Sequence, residues 1–297
     1  MQTLSALALR VIFPLVVCFL AFVYLGTAGG VAVVVLYFII MNLSAIFNRM
    51  ASRAYAGGDY DKALRMLEKG LRLSPKNGNM RSAYAWLLLK LGYTKEAEIQ
   101  IEQALANTPR EELKYPLNVT KAMVLWKKGS LDQAVSLMEK VLENYKNSNA
   151  YATLGFLYLE KGDLDKALSF NLEAYDFNST NAVILDNLGC TRLLRGEYEE
   201  AREVYKQLMK LKPRFPEAFY NYARVLAHFG ELDEAIYMCR TALSLKFWNT
   251  STITKEQVEG TLKELEEAKG AKPGETTRDE ANEAIQENEK DDINSKE

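Results

Sequence analysis

Gly162-Asp163-Leu164-Asp165-Lys166-Ala167-Leu168 is one copy of a pattern that runs through most of this chain. Its counterparts upstream are Gly58-Asp59-Tyr60-Asp61-Lys62-Ala63-Leu64, Gly92-Tyr93-Thr94-Lys95-Glu96-Ala97 and Gly129-Ser130-Leu131-Asp132-Gln133-Ala134. Downstream stand Gly196-Glu197-Tyr198-Glu199-Glu200-Ala201 and Gly230-Glu231-Leu232-Asp233-Glu234-Ala235. The glycines are separated by 34, 37, 33, 34 and 34 residues. Such a period marks stacked helix–turn–helix units that share one continuous core. Glycine ends the first helix of each unit, where a left-handed residue is least strained without a Cβ. The acidic residues that follow favour the positive N-terminal end of the next helix. The block's alanine (63, 97, 134, 167, 201, 235) lies twelve residues after a second small residue: Ala51, Ala85, Ala122, Gly155, Gly189 and Ala223. Small residues at both places let the helices of a pair approach closely. Leu67, Ile101, Met138 and Tyr205 then fill the space between helices, and Pro75, Pro109 and Pro213 close units because proline cannot continue a helix.

In these blocks the chain resembles the tetratricopeptide repeat family over roughly residues 44 to 250. The resemblance implies an all-α fold, a right-handed superhelical solenoid of about six helix pairs, with units at 44–77, 78–111, 115–148, 149–181, 182–215 and 216–249. Lys146, Ser179 and Phe247 stand where proline is expected, and three extra residues enter near Glu111 to Tyr115. Residues 251–269 resemble the extra helix that closes such a solenoid, with Thr254 as N-cap, Gln257 completing a capping box, and Val258, Leu262 and Leu265 on one stripe. Beyond Gly270 apolar periodicity stops and acidic residues dominate, so residues 270–297 are expected to be a disordered acidic tail.

The N-terminus is strongly apolar. Residues 4–25 and 28–47 are each long enough to cross a bilayer, given that Arg10 reaches the headgroups, and Gly26-Thr27-Ala28-Gly29-Gly30 lies between them. Residues 1–47 therefore read as a transmembrane hairpin of two spans. A cleaved signal peptide fits less well, since a second long apolar stretch follows the first; a single span is the remaining alternative. Arg49, Arg53, Lys62, Arg65, Lys69, Arg72, Lys76 and Arg81 follow the apolar region, whereas the connection between the two stretches has no Lys or Arg. Both termini and the repeats are thus expected on the cytoplasmic side, with the basic groups near anionic headgroups or simply on a solvated face. No Gly or Pro interrupts residues 31–56, so the second span and the first repeat helix are expected to be one helix of about 39 Å.

Composition excludes several classes. The formal net charge of -2 and pI near 5.8 argue against nucleic acid as partner. Cys18, Cys190 and Cys239 are scattered and His228 is the only histidine, so no disulfide framework or metal site is indicated. Nucleophile, zinc and phosphate-loop motifs are missing, which points to a non-enzyme without a cofactor or small-molecule substrate.

What remains is a binding surface. In the family, the first helix of each unit lines the concave face. On this sequence that implies a candidate peptide groove of Trp86, Thr120, Met123, Thr153, Phe156, Asn187, Tyr220, Asn221 and Arg224, with Asp186 and His228 beside them. Asn187 and Asn221 either bond an extended peptide backbone, for which an amide offers both donor and acceptor, or bond neighbouring helices and stiffen the stack. The Lys and Asn set with which family members clamp a terminal carboxylate is not reproduced. Two functions follow: a membrane-anchored adaptor that binds a peptide segment of a partner protein, or a self-associating membrane scaffold acting as a homo-oligomer. The arrangement resembles bacterial membrane-anchored repeat proteins of the cell envelope.

Overall fold

A computed structural model describes residues 13–270. Among them every regular element is helical. A long apolar helix α1 (Phe13–Ala56) is followed by α2 (Tyr60–Leu73), α3 (Gly78–Lys90), α4 (Thr94–Ala106), a 3-10 turn (Glu111–Leu113), α5 (Tyr115–Lys127) and α6 (Leu131–Asn144). Then come α7 (Ser148–Glu160), α8 (Leu164–Phe177), α9 (Ala182–Leu194), α10 (Tyr198–Lys210), α11 (Pro216–His228), α12 (Leu232–Leu243) and α13 (Lys255–Gly270). The 3-10 turn absorbs the extra residues between the second and third units.

Each repeat glycine sits at the turn between paired helices with positive φ, from 74° at Gly230 to 93° at Gly92. In five of the six units the residue after it donates its N–H five residues back, as Asp59 does to Ala54 and Glu197 to Arg192, satisfying a carbonyl the helix end leaves open. Asp59 and Asp163 then accept from the N–H of Lys62 and Lys166 and cap the next helix. The second helix of each pair packs on the first: α2 on α1, α4 on α3, and so on to α12 on α11. First helices stack on one another, α3 on α5, α5 on α7, α7 on α9 and α9 on α11. The paired small residues lie at these crossings and are buried throughout, as at Ala85, Ala97, Ala122 and Ala134. Between them sit Leu67, Ile101, Met138, Asn171, Tyr205 and Cys239, one from each unit and all buried.

Where the small residue is glycine, its opposite number is planar. A Cβ at Gly155 would fall 2.0 Å from Asn171 Oδ1, and one at Gly189 would fall 2.8 Å from the Tyr205 ring. Units with alanine at this place carry an aliphatic residue or cysteine opposite it. The glycines are therefore a packing requirement of the particular partner. Beyond the last pair, α13 packs on α12. Its start is the reciprocal pair expected from the sequence: Gln257 N–H donates to Thr254 Oγ1 at 3.2 Å, and Thr254 N–H donates to Gln257 Oε1 at 2.7 Å.

The N-terminal region departs from the expected pair of separate spans at 4–25 and 28–47. Among the described residues one helix is long and apolar enough to cross a membrane, with its apolar stretch at Leu15–Ile40 and a mean hydropathy of 2.2. Residues 1–12, which begin the first expected span, lie outside the described residues, as does the acidic tail from 271. The glycine-rich stretch between the two expected spans is helical except at Gly26 (φ 71°, ψ −176°). An apolar, uncharged stretch gains by keeping its backbone bonds internal, which favours helix over open loop. At Gly26 the chain bends sharply. A Cβ at Gly30 would lie 2.3 Å from the Phe22 ring, eight residues away, which a straight helix would hold about 12 Å off along its axis. From Thr27 to Ala56 the helix is unbroken, and Ala51 and Ala54 bury their faces against the first unit.

Candidate functional site

The nine candidate groove residues separate into two groups. Thr120, Thr153, Asn187 and Asn221 occupy equivalent places in successive units and are 9%, 8%, 4% and 5% exposed. Three of these four have a hydrogen bond to the preceding first helix. Thr120 Oγ1 is 3.2 Å from Ser82 Oγ, Asn187 Nδ2 donates to Ala152 O at 2.8 Å, and Asn221 bonds Asp186. These bonds bridge first helix to first helix. The two asparagines on which a peptide-clamping role was weighed are committed within the stack.

Trp86, Phe156, Tyr220 and Arg224 keep part of their surface. With Met123 they mark two patches. On the second to fourth units, Trp86, Trp126 and Phe156 pack on a buried cluster of Leu88, Leu89, Ala97, Met123 and Val124. The Trp126 and Phe156 rings meet edge-on at 4.7 Å, and Trp126 Nε1 donates to Glu160 Oε2 at 3.0 Å. Edge-on aromatic contacts of this kind fix ring orientation. Trp126 completes this patch, at the helical position that Leu159 holds one unit later; its place at the end of α5 is the sequence signal for it.

The second patch, on the fifth and sixth units, is polar. Asp186 is buried on α9, bonded by Asn221 and 3.4 Å from the Tyr205 hydroxyl that donates to it. Burial, aided by the charge of Glu217, pushes the Asp186 carboxyl up to about 7. Burial likewise raises Glu217, whose Oε1 accepts the Thr252 N–H at 3.2 Å. Tyr220 reaches Thr261 on α13 at 3.4 Å, and the Arg224 guanidinium lies 5.7 Å from the Tyr220 ring. His228 stacks on Tyr198 with ring centroids 3.5 Å apart. Among the described residues no group of three or more His, Cys, Asp or Glu is placed to hold a metal ion.

A contact the sequence did not reveal joins the two ends of the solenoid. The segment after α12 docks on the first two units. Asn249 donates its N–H to Lys90 O at 3.0 Å and its Nδ2 to Leu89 O at 2.9 Å, bonding the last carbonyls of α3 from 160 residues away. Trp248 meets Tyr60 edge-on at 4.7 Å and stacks beside Tyr55 at 6.4 Å. The ammonium groups of Lys90 and Lys246 approach the Trp248 ring at 4.2 and 4.4 Å, and Lys90 Nζ donates to Tyr55 OH at 2.9 Å. The sixth unit thus closes onto the first and second, beside Trp86. The aromatic pair Phe247-Trp248 in a connecting segment was the only sequence signal for it.

The stacked helix pairs define a helical-repeat solenoid of the protein-binding kind. Profiles of the tetratricopeptide repeat match residues 54–115, 119–182 and 187–247, and the chain belongs to that family. It is 27% identical over 198 residues to BBSome complex member BBS4 of Bos taurus, an alignment covering 65% of this chain and 37% of that protein. The chain therefore spans little more than a third of that relative's length. Among solved structures it resembles PilW, described as a widely conserved type IV pilus biogenesis factor. That match has 17% identity and a TM-score of 0.54, covering 68% of this chain and 93% of the other. PilF of Pseudomonas aeruginosa matches with 15% identity and a TM-score of 0.53, covering 75% and 99%. Both likenesses are of fold.

Proposed function

We propose that this protein is a membrane-anchored adaptor that holds a peptide segment of a partner protein against the first helices of its repeats, at the cytoplasmic face of a membrane. The observation that carries the reading is the run of partly buried aromatic side chains, Trp86, Trp126 and Phe156, on three successive first helices, packed on a buried cluster that includes Met123. A solenoid needs such side chains in its core, yet these stay partly open on the inward face. Aromatic groups of this kind anchor protein interfaces. Tyr220 and Arg224 extend the surface with a hydroxyl and a guanidinium suited to an acidic ligand residue. Asn187 and Asn221 serve the stack beneath it.

Anchoring rests on α1. Leu15, Phe19, Tyr24, Val31, Leu36, Phe38 and Ile40 are all more than half exposed, an apolar surface that water would not tolerate and lipid would. The basic residues after it set the orientation, with the repeats cytoplasmic. Because the part of α1 after Gly26 runs unbroken from Thr27 to Ala56 into the first unit, the solenoid is held at a fixed attitude to the bilayer. The test is a photo-crosslinking residue at Phe156, introduced in the native membrane, with the attached chains identified by mass spectrometry. The adaptor reading expects a defined partner chain whose yield falls in a Trp126→Ala background. Crosslinks only to further copies of this chain would instead favour a self-associating scaffold.

A further inference from the structure

The register between α1 and α2 fixes where the first unit meets the membrane. Ser44 Oγ donates to Gly70 O at 3.3 Å, and a Cβ at Gly70 would lie 3.3 Å from Phe47 Cβ. Gly70 is therefore level with Ser44–Phe47. The helices are antiparallel, so the chain beyond Gly70 descends along α1 toward its apolar stretch, which ends at Ile40. Ser44 lies about 6 Å above Ile40, and Leu73 lies about 4.5 Å below Gly70. Leu73 thus stands about 2–6 Å above the level of Ile40, at the edge of the apolar stretch.

Leu73 is 52% exposed at that height. Around it stand Lys69, Arg72 and Lys76, all exposed. Arg72 is paired with Glu68 at 2.7 Å, while Lys69 and Lys76 have no carboxylate partner among the described residues. The neighbouring connection continues the rim, since a Cβ at Gly78 would lie 3.1 Å from Thr108 Oγ1. That connection carries Arg110 and a half-exposed Leu113, with Glu111 engaged by Lys114 and Glu112 adjacent.

We propose that this rim is a lipid-contact collar: Lys69, Arg72 and Lys76 bind anionic phospholipid headgroups while Leu73 enters the interface beside α1. The inference rests on the membrane-anchored reading above, and it adds a lipid preference and a second contact. An apolar side chain ringed by cations at the bilayer surface gains from both burial and the negative surface potential. The occupant is lipid because the helix register leaves Leu73 at the boundary whenever α1 is inserted.

The test uses the full chain in nanodiscs of pure phosphatidylcholine or of phosphatidylcholine with phosphatidylglycerol, read by hydrogen exchange of the amides of residues 70–78. Exchange is expected to slow by about threefold or more in the anionic discs and to recover at high salt, which screens exposed charges. The triple variant Lys69→Gln, Arg72→Gln, Lys76→Gln should lose the difference. Equal exchange in both discs overturns the collar while leaving anchoring intact. Protection already present in pure phosphatidylcholine and abolished by deleting residues 271–297 assigns the rim to the chain's own acidic tail and also overturns it. Release of the protein from membranes by alkaline carbonate defeats the anchoring reading and the collar with it.

Discussion

Replacing Gly189 by alanine probes the rule that a glycine on a first helix answers a planar side chain on the second. The Tyr205 ring is fully buried and stacks on Tyr222 with centroids 5.7 Å apart. A methyl at position 189 would stand 2.8 and 2.9 Å from two of its ring carbons. Carbon atoms prefer about 3.5–4.0 Å, so either the ring or α9 must move by more than about half an ångström. The ring cannot yield alone, with Tyr222 on one side and the Asp186 hydrogen bond at its hydroxyl. Overpacking of this kind costs about 1–3 kcal/mol. For a domain of this size a loss of 2 kcal/mol lowers Tm by about 4–8 °C. Thermal and urea unfolding of the full chain in detergent, followed by circular dichroism, measures it. Tyr205→Leu is the informative second change, because leucine occupies the same place opposite Ala51 in the first unit. Alone it removes buried contacts; combined with Gly189→Ala it should cost at least about 1 kcal/mol less than the two single losses together. An unchanged melting temperature for Gly189→Ala, or strictly additive losses in the double variant, would refute the packing rule.

Three further outcomes are expected. Asp186→Asn should stabilise the protein relative to wild type increasingly as pH rises from 5 to 8: the native carboxyl holds its proton up to about 7 where the unfolded one releases it near 3.8, so its contribution is complete below the lower value and lost through the upper, by a few kcal/mol at most. A stability gap that does not change with pH would sink that assignment. Trp248→Ala should release the closure between the sixth and first units, seen as faster hydrogen exchange at the Asn249 amide while the fourth unit keeps its protection; unchanged exchange at Asn249 would mean that Trp248 does not hold the ends together. Thr254→Ala should lower stability by about 0.5–2 kcal/mol through loss of the α13 cap, and no measurable change in urea midpoint would show that α13 adds nothing to the fold.

Much of this molecule was legible in one dimension. The repeat glycines, the small residues twelve positions apart and the acidic helix starts depend on neighbours in sequence, and a left-handed turn residue or an N-cap acts over fewer than six residues of chain. The helices, their pairing, the reciprocal cap at Thr254 and Gln257 and the family follow from those local rules. The apolar N-terminus was equally plain, but whether Gly26 to Gly30 forms a loop or continues a helix depends on its surroundings, and only Gly26 leaves helical geometry. The groove was half legible. Periodicity identifies the inward helix, but it cannot say whether a side chain on that helix meets open space or the next helix in the stack. That angle of a few tens of degrees separates Asn187, bonded to Ala152, from Phe156, which stays partly open. The contact of Asn249 with Lys90 was not legible at all. It arises from the summed rotation of successive units, in which each small crossing angle adds to the last. That curvature is set by how every pair packs, and no local stretch of the sequence carries it.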